Sequence, residues 1–562
     1  MDDVDAVQAQ ISRNMLQSGD WVTARLDGIK YLEKSPLKYW MIAVCFKLFG
    51  VHDWAARIPV ALSAVLLCWL VARMGRWAFS PGAGLYAGLS LATSVGLFLF
   101  TRILIPDVVL TLTIALSLWA FLRALDEQET RPGLWSLIFA ASVGAGLLLK
   151  GLIAALFPLA AVGLYLAFTK QLTDRRVWQR LHPFRGAGIA LAIAAPWHIL
   201  ATLRNPPYFY WSMQSGPGHY HGFFWFYFIN EHLLRFLNLR YPRDYNTVPR
   251  LYFWLFHLLW LFPWSVFFPA AFRSLRRLST TDRAGRMRLM ALCWAGFILV
   301  FFTFSSTQEY YSMPAYPALA LLLGAALDSE DRWIGYGRRV LAVLAGAAAM
   351  VIAGILVAVH GLPAPGDISN ALTQNPDLYT LSLGHMGDLT LRSFAYLRLP
   401  LALAGVAFLI GAVTSWRWSG LRAALGIATM MVLFIHAARL AMVVFDPYLG
   451  SRQLANALMA APPGKLILDD QYYTWSSVIF YTNRNALLLN GRVNNLEYGS
   501  NDPEAPDGVF LNDKDFKRLW ATPARYYILV EKPSVPRIAG LTAGAALRQV
   551  AESGGKYLFV NH

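Results

Sequence analysis

The chain has 562 residues, 56% of them hydrophobic and only 15% charged. With a mean hydropathy of +0.42 and 20 Trp, it carries more apolar surface than one soluble domain can enclose, which makes it a membrane protein. The net charge of +16 does not point to nucleic acid, because the arginines collect in alternate loops between apolar runs, the distribution that sets membrane topology.

Residues 1–53 open with the acidic stretch MDDVDA, and no apolar run precedes it to export it. A first transmembrane helix is therefore expected to be missing. Residues 8–17 and 36–50 place apolar side chains at helical spacing. Both are expected to lie flat in the membrane interface, with Tyr39 and Trp40 at headgroup depth and Lys38 and Lys47 near phosphates.

Twelve apolar runs follow, at 54–75, 82–101, 107–126, 133–149, 151–170, 186–203, 251–271, 285–304, 311–328, 338–359, 397–416 and 420–442. Each approaches the roughly 20 residues that cross ~30 Å of hydrocarbon. The arginine-rich loops carry Arg73 and Arg76; Arg175, Arg176, Arg180 and Arg185; Arg273, Arg276, Arg277, Arg283, Arg286 and Arg288; Arg332, Arg338 and Arg339; and Arg417 and Arg422. These loops should be cytoplasmic. An even number of crossings then leaves residues 1–53 and everything after 442 together on the opposite face. Cys45, Cys68 and Cys293 lie in apolar segments and read as small hydrophobes that say nothing about compartment.

From Phe445 the composition changes. Polar loops alternate with KLILDD, SSVIFYTN, NALLLNG, RYYILVEK and KYLFVN, strand-like runs that follow the helical stretch SRQLANALMAA. Three parts are expected: an extracytoplasmic loop with interfacial helices over 1–53, a transmembrane domain over 54–442 with the long loop 204–250, and a small α/β domain over 443–562. The chain has no internal repeat and no glycine-rich phosphate cradle, which argues against a nucleotide cofactor.

Charges that topology does not explain concentrate on the extracytoplasmic face. They are Asp2, Asp3, Asp5, Glu33, Lys34, Arg57, Arg102, Asp107 and Lys150, with Arg204, Glu231, His232, Arg235, Arg240, Arg243 and Arg250 in the long loop. That loop contains FFWFYFINEHLLRFLNLR, whose Glu231, His232 and Arg235 fall within one helical turn. Arginines beside aromatics at a membrane surface suit a ligand with a phosphate head and an apolar tail. Attachment to anionic headgroups is the other reading, and it explains Arg240 and Arg243 better than Glu231 or His232.

The remaining charges also have two readings each. Asp107, after Pro106, either caps a helix or serves a site, and Lys150 either snorkels or binds. Glu33 and Lys34 either form an exposed ion pair worth ~0 to 1 kcal/mol, or Glu33 joins His232 on a divalent ion such as Zn or Mg/Mn. Asp2, Asp3 and Asp5 are a solvated end, or one of them is a general base or a stabiliser of positive charge on a sugar ring. Tyr310 and Tyr311 begin a helix broken by Pro314 and Pro317, as interfacial tyrosines or as phosphate donors.

YLEKSPLKYW, FGVHDWAARIP, TRILIPDVVL, LLLKGLIAALFP, INEHLLRF and YYSMPAYPALALL resemble, in order, motifs of bacterial polyprenyl-phosphate-dependent glycosyltransferases. The nearest family is the 4-amino-4-deoxy-L-arabinose lipid A transferases, within the protein O-mannosyltransferase superfamily. The resemblance implies a GT-C fold in the inner membrane, with the active site and C-terminal domain facing the periplasm and a sugar taken from undecaprenyl phosphate. It makes Lys34 the donor-phosphate lysine, with Arg235, Tyr311 and Tyr310 beside it. Glu33 and His232 match the family's metal site, and Asp107 matches a loop aspartate.

One departure stands out: Val4 falls where the family's catalytic aspartate belongs, so Asp3 or Asp5 has to serve or the role is altered. The expected reaction is sugar transfer to lipid A or a related envelope glycolipid. Protein O-glycosylation is the runner-up and a lipid-linked solute transporter the distant third.

Overall fold

The structure, a computed structural model, describes residues 1–562 apart from 244–246, 276, 277, 306, 330, 374–381 and 543–545. Arg276 and Arg277 of the expected cytoplasmic loops lie outside the described residues. Among the described residues nine helices are long and apolar enough to cross a membrane: Asp53–Ala78, Asp107–Leu125, Pro132–Lys150, Arg175–Arg204, Arg283–Phe304, Glu309–Leu327, Arg332–Ala358, Arg398–Arg417 and Gly420–Leu449.

All twelve expected runs fall on helices, but three of them are not single straight spans. Run 82–101 is Pro81–Ala92 plus Val95–Thr101, bent by 51°, and run 251–271 is Arg250–Trp260 plus Trp264–Ser274, bent by 96°. Run 151–170 is the shorter helix Ile153–Phe168. Each bend has a local cause. At the first, just past Thr93, Val95 N leaves the helical ladder to donate to Phe262 O at 3.2 Å and the Ser94 hydroxyl donates to Leu91 O at 2.9 Å, so partners outside the ladder take over. At the second, Pro263 lacks the N–H that would continue the helix.

Without water to drive helices together, close backbone approach holds the bundle. Asp53–Ala78 meets Pro81–Ala92 at Gly75 and Gly84, where a Cβ on Gly75 would lie 2.8 Å from Gly84 Cα.

The two chain ends build one unit on the same side of the bundle. A six-stranded sheet has the order 510–511, 486–489, 465–469, 526–531, 556–560, 548–553, the first four strands parallel and the last two antiparallel. One sheet face buries Ile467, Ile528 and Leu489 against Phe516 and Trp520. The other buries Leu466, Leu468 and Leu529 against Val7, Ile11 and Met15 of the N-terminal helix Asp3–Ser18. The first thirty residues therefore share a core with the last hundred.

Three expectations change here. Residues 8–17 belong to the helix Asp3–Ser18, which packs on the sheet instead of lying flat in the membrane interface. SSVIFYTN is a helix, Ser476–Thr482, because its apolar residues pack against the N-terminal helix and Asp3 binds its first turn. Asp3 Oδ1 accepts from Ser477 N at 2.9 Å, where helix N–H groups are free. The helix Leu37–Phe49 does not lie free in the interface either. Lys38, Tyr39, Ile42, Ala43 and Phe46 are buried, leaving Val44, Leu48 and Phe49 exposed. Lys38 Nζ donates to Leu104 O at 3.1 Å and to Gln8 Oε1, so it meets protein acceptors rather than lipid phosphates. Trp40 Nε1 donates to Trp21 O at 2.8 Å.

Asp3 is thus part of the joint between the chain ends. Its Oδ2 accepts from Lys556 Nζ at 2.7 Å, and Lys556 also donates to Ser451 Oγ at 3.1 Å. Removing one partner of a buried pair leaves the other charge uncompensated. Asp3→Ala is expected to lower stability by about 3 kcal/mol and to expose the C-terminal domain to protease. Thermal unfolding in micelles with parallel limited proteolysis measures both, and wild-type behaviour in both would remove Asp3 from the joint.

Candidate active site

The site begins with two tight chain features that bring distant charges together. The Pro132–Lys150 helix ends at Gly151, whose φ of +67° favours glycine, and the next helix leaves at once from Ile153. Facing this hairpin is Trp225–Leu234, a π-helix whose wider turns are frequent at functional sites.

Side chains bolt the pieces together. The Ser35 hydroxyl donates to Leu147 O at 3.2 Å and makes a short hydrogen bond with the Tyr227 hydroxyl. His232 Nε2 accepts from Leu152 N at 3.0 Å, and Nδ1 lies 2.6 Å from Tyr227 O. The proton therefore sits on Nδ1 and the ring is neutral; burial lowers its pKa, in the same direction.

Around these bolts lies an open pocket. Its polar wall carries Glu33, Lys34, Lys150, Glu231, Arg235 and Tyr311, and its apolar wall Ile153, Phe236, Phe301 and Phe302. Lys34 Nζ stands 3.8 Å from Glu33 and 3.7 Å from Glu231, at ion-pair distance from both but bound tightly by neither. Arg235 pairs with Glu231 one turn away. Arg240 reaches back from beyond the π-helix, donating to Glu33 Oε1 at 2.9 Å and to Glu231 Oε1. Lys150 Nζ pairs with Asp107 at 2.5 Å and sits 4.5 Å above the Tyr311 ring.

Burial alone would raise the Glu231 carboxyl, but Arg240, Arg235 and Lys34 outweigh it and hold it well below the ordinary carboxylate range. These cations favour the charged form of Glu231. Lys34, Arg235, Arg240 and Lys150 set against Glu33, Glu231 and Asp107 leave one positive charge in excess, which suits an anionic head beside an apolar tail.

Most of the predicted residues converge here: Glu33, Lys34, Glu231, His232, Arg235 and Tyr311 line the pocket, and Asp107 reaches it through Lys150. Tyr310 stands behind the wall, its ring 6.1 Å from Phe100 and 5.5 Å from Lys150 Nζ. Asp3 is in the sheet joint. Asp5 is fully buried; it accepts from Leu104 N at 2.7 Å and from Arg57 at 2.5 Å. Burial and neighbouring Asp2 push its carboxyl up to about 6. It clamps the segment that leads into Asp107, whereas Val4, on the same helix, is 54% exposed.

Glu33 and His232 do not fit a divalent ion as arranged. The His232 lone pair already takes the Leu152 N–H, and Glu33 is bound by Tyr31 at 3.2 Å and by Arg240. Among the described residues no group of three or more His, Cys, Asp or Glu side chains could hold a metal.

Sequence reasoning missed the Ser35–Tyr227 bolt, and of its two readings headgroup attachment suited Arg240 better than it suited Glu231 or His232, whereas the Arg240 side chain is buried. The available signal was the proximity of Arg240 to Glu231 in a loop that violates the charge rule.

Residues 33–200 match the family described as dolichyl-phosphate-mannose-protein mannosyltransferase. The undecaprenyl phosphate-alpha-4-amino-4-deoxy-L-arabinose arabinosyl transferase of Erwinia tasmaniensis is 27% identical over 91% of this chain and 85% of its own length. Its Aeromonas salmonicida namesake is 30% identical over 57% of this chain, which spans only 54% of that relative. The crystal structure of ArnT from Cupriavidus metallidurans bound to undecaprenyl phosphate superposes with a TM-score of 0.78 at 23% identity, over 99% of this chain and 93% of that one. The chain has the fold of that structure, the GT-C fold. In this GT-C chain the pocket sits where the helical bundle meets the unit built from both chain ends, with Tyr31 bonded to Tyr473 at 2.9 Å across the seam.

A Cβ on Gly151 would overlap His232 Nε2 and the Tyr227 hydroxyl. Gly151→Ala is therefore expected to destabilise the protein by about 2 to 4 kcal/mol, from the left-handed backbone plus overpacking. An unchanged midpoint of thermal unfolding would mean that the hairpin is not held as described.

Proposed function

We propose that the protein is a membrane glycosyltransferase that moves a sugar from undecaprenyl phosphate to lipid A or a related envelope glycolipid. The observation that carries this reading is Lys34, placed between two carboxylates at the mouth of a pocket with one cationic and one aromatic wall. Polyprenyl phosphate has the matching chemistry, a charged head on a long apolar tail. The names of the relatives support the same donor and make 4-amino-4-deoxy-L-arabinose the first sugar to test. The arginine-rich loops support an inner-membrane orientation with the pocket and sheet domain in the periplasm.

In this reading Lys34, Arg235 and the Tyr311 hydroxyl hold the donor phosphate, and Lys150 steadies Tyr311 from above. An acceptor oxygen forms a bond to the anomeric carbon of the sugar while the bond from that carbon to the donor phosphate oxygen breaks. The electron pair leaves with undecaprenyl phosphate, whose growing negative charge the fixed cations stabilise. A phosphate acceptor is already an anion, so no proton has to move. This favours lipid over a Ser or Thr hydroxyl, because Asp3 and Asp5 are held in ion pairs and Val4 occupies the exposed position.

Lys34→Ala is expected to cut transfer from labelled undecaprenyl-phosphate sugar on the order of 10²- to 10³-fold without loss of the folded state. Normal turnover by that variant would end the phosphate assignment.

A further inference from the structure

The geometry points to Arg240 as an internal cation that takes the place of a metal ion between Glu33 and Glu231, a positioning residue that keeps Lys34 and Arg235 available to the donor phosphate. This rests on the reading of the pocket as a polyprenyl-phosphate site.

Three observations carry it. The first is placement. Arg240 Nε donates to Glu231 Oε1, Nη2 to Glu33 Oε1 at 2.9 Å and Nη1 to Pro242 O at 2.5 Å, so each nitrogen of a planar fork has an acceptor. A guanidinium suits this place because it is weakly hydrated and stays charged when buried; the side chain is only 5% exposed.

The second is the anchoring of its backbone. Tyr241 N donates to Asn230 Oδ1 at 2.9 Å, Asn230 Nδ2 donates to Tyr241 O at 2.5 Å, and the Tyr241 hydroxyl bonds Glu497 of the sheet domain. The chain returns from the π-helix and is fixed at the residue next to the guanidinium.

The third is the state of the ligands a metal would need. Two carboxylates face each other, but the guanidinium fills the space between them, and the neighbouring imidazole is committed to Leu152 N and Tyr227 O. Divalent zinc takes carboxylate oxygens and unprotonated imidazole nitrogens, and neither is open here.

The charge balance gives the consequence. Glu33 and Glu231 carry two negative charges; Lys34, Arg235 and Arg240 carry three positive ones. Without Arg240 the sum is zero, and both carboxylates turn their full attraction on Lys34 and Arg235. The phosphate would then compete with Glu33 and Glu231 for the same cations.

The test uses the full chain in nanodiscs, with zinc chloride titrated calorimetrically and undecaprenyl phosphate binding measured in parallel. The wild type is expected to take up no zinc at micromolar concentration and to lose no lipid affinity in chelator. Arg240→Ala should bind undecaprenyl phosphate at least tenfold more weakly, gain a zinc site, and recover part of its lipid affinity with millimolar guanidinium. Arg240→Lys, which keeps the charge but not the bridge, should lie between them, and it covers the case in which the alanine variant does not fold. Stoichiometric zinc in the wild type, or undiminished lipid binding in folded Arg240→Ala or Arg240→Lys, overturns the proposal. Lys34→Ala, by contrast, should lose lipid affinity without gaining zinc or responding to guanidinium. If Lys34→Ala binds lipid normally while the Arg240 variants gain zinc, the donor reading fails and the internal bridge stands.

Discussion

The arrangement depends on a balance of buried charge where the helical bundle meets the unit built from both chain ends, since buried ion pairs are strong and unpaired charges costly. Lys34 is drawn toward Glu33 and Glu231 at nearly equal distances, while both carboxylates are also held by arginines. A lysine shared in this way is fixed in position yet keeps donor capacity for an incoming anion. If either carboxylate owned it outright, the pocket would have a closed ion pair instead of a binding group.

Such a balance needs rigid support, and the fold supplies it from three directions. The bundle contributes the hairpin at Gly151, which brings Lys150 to Asp107. The long loop contributes the π-helix with Glu231, His232 and Arg235. The two chain ends, which share one core, hold the segment with Glu33 and Lys34: Tyr31 bonds both Glu33 and Tyr473, and Asn495 donates to Tyr473 at 2.7 Å. The sheet domain is therefore a wall behind the site as well as an appendage, which explains why its joint uses a buried Asp3–Lys556 pair rather than apolar contact alone.

Much of this was legible in the sequence. Apolar runs near 20 residues identified the helices because hydrocarbon thickness leaves few alternatives. Charges that the expected topology left unexplained pointed to the pocket, because no other reading accounted for them together. What stayed hidden depended on long-range partners. The bends at Thr93 and Pro263 arise from contacts and imino chemistry inside otherwise continuous apolar runs. SSVIFYTN became a helix because Asp3, more than 470 residues away in sequence, meets its first turn. Asp3 and Asp5 read as candidate bases because sequence gives residue type but not the cation that consumes it. Headgroup attachment suited Arg240 for the same reason, since its two carboxylate partners lie nine and 207 positions away.

In the proposed function the pocket at Lys34 holds the phosphate of a polyprenyl lipid. Cryo-electron microscopy of the protein in nanodiscs with undecaprenyl phosphate tests it most directly. Phosphate density is expected within hydrogen-bond reach of Lys34 Nζ and the Arg235 guanidinium, with the tail leaving past Phe301 and Phe302. Phosphate density on the outer arginines of the long loop, with Lys34 still shared between Glu33 and Glu231 alone, would contradict it.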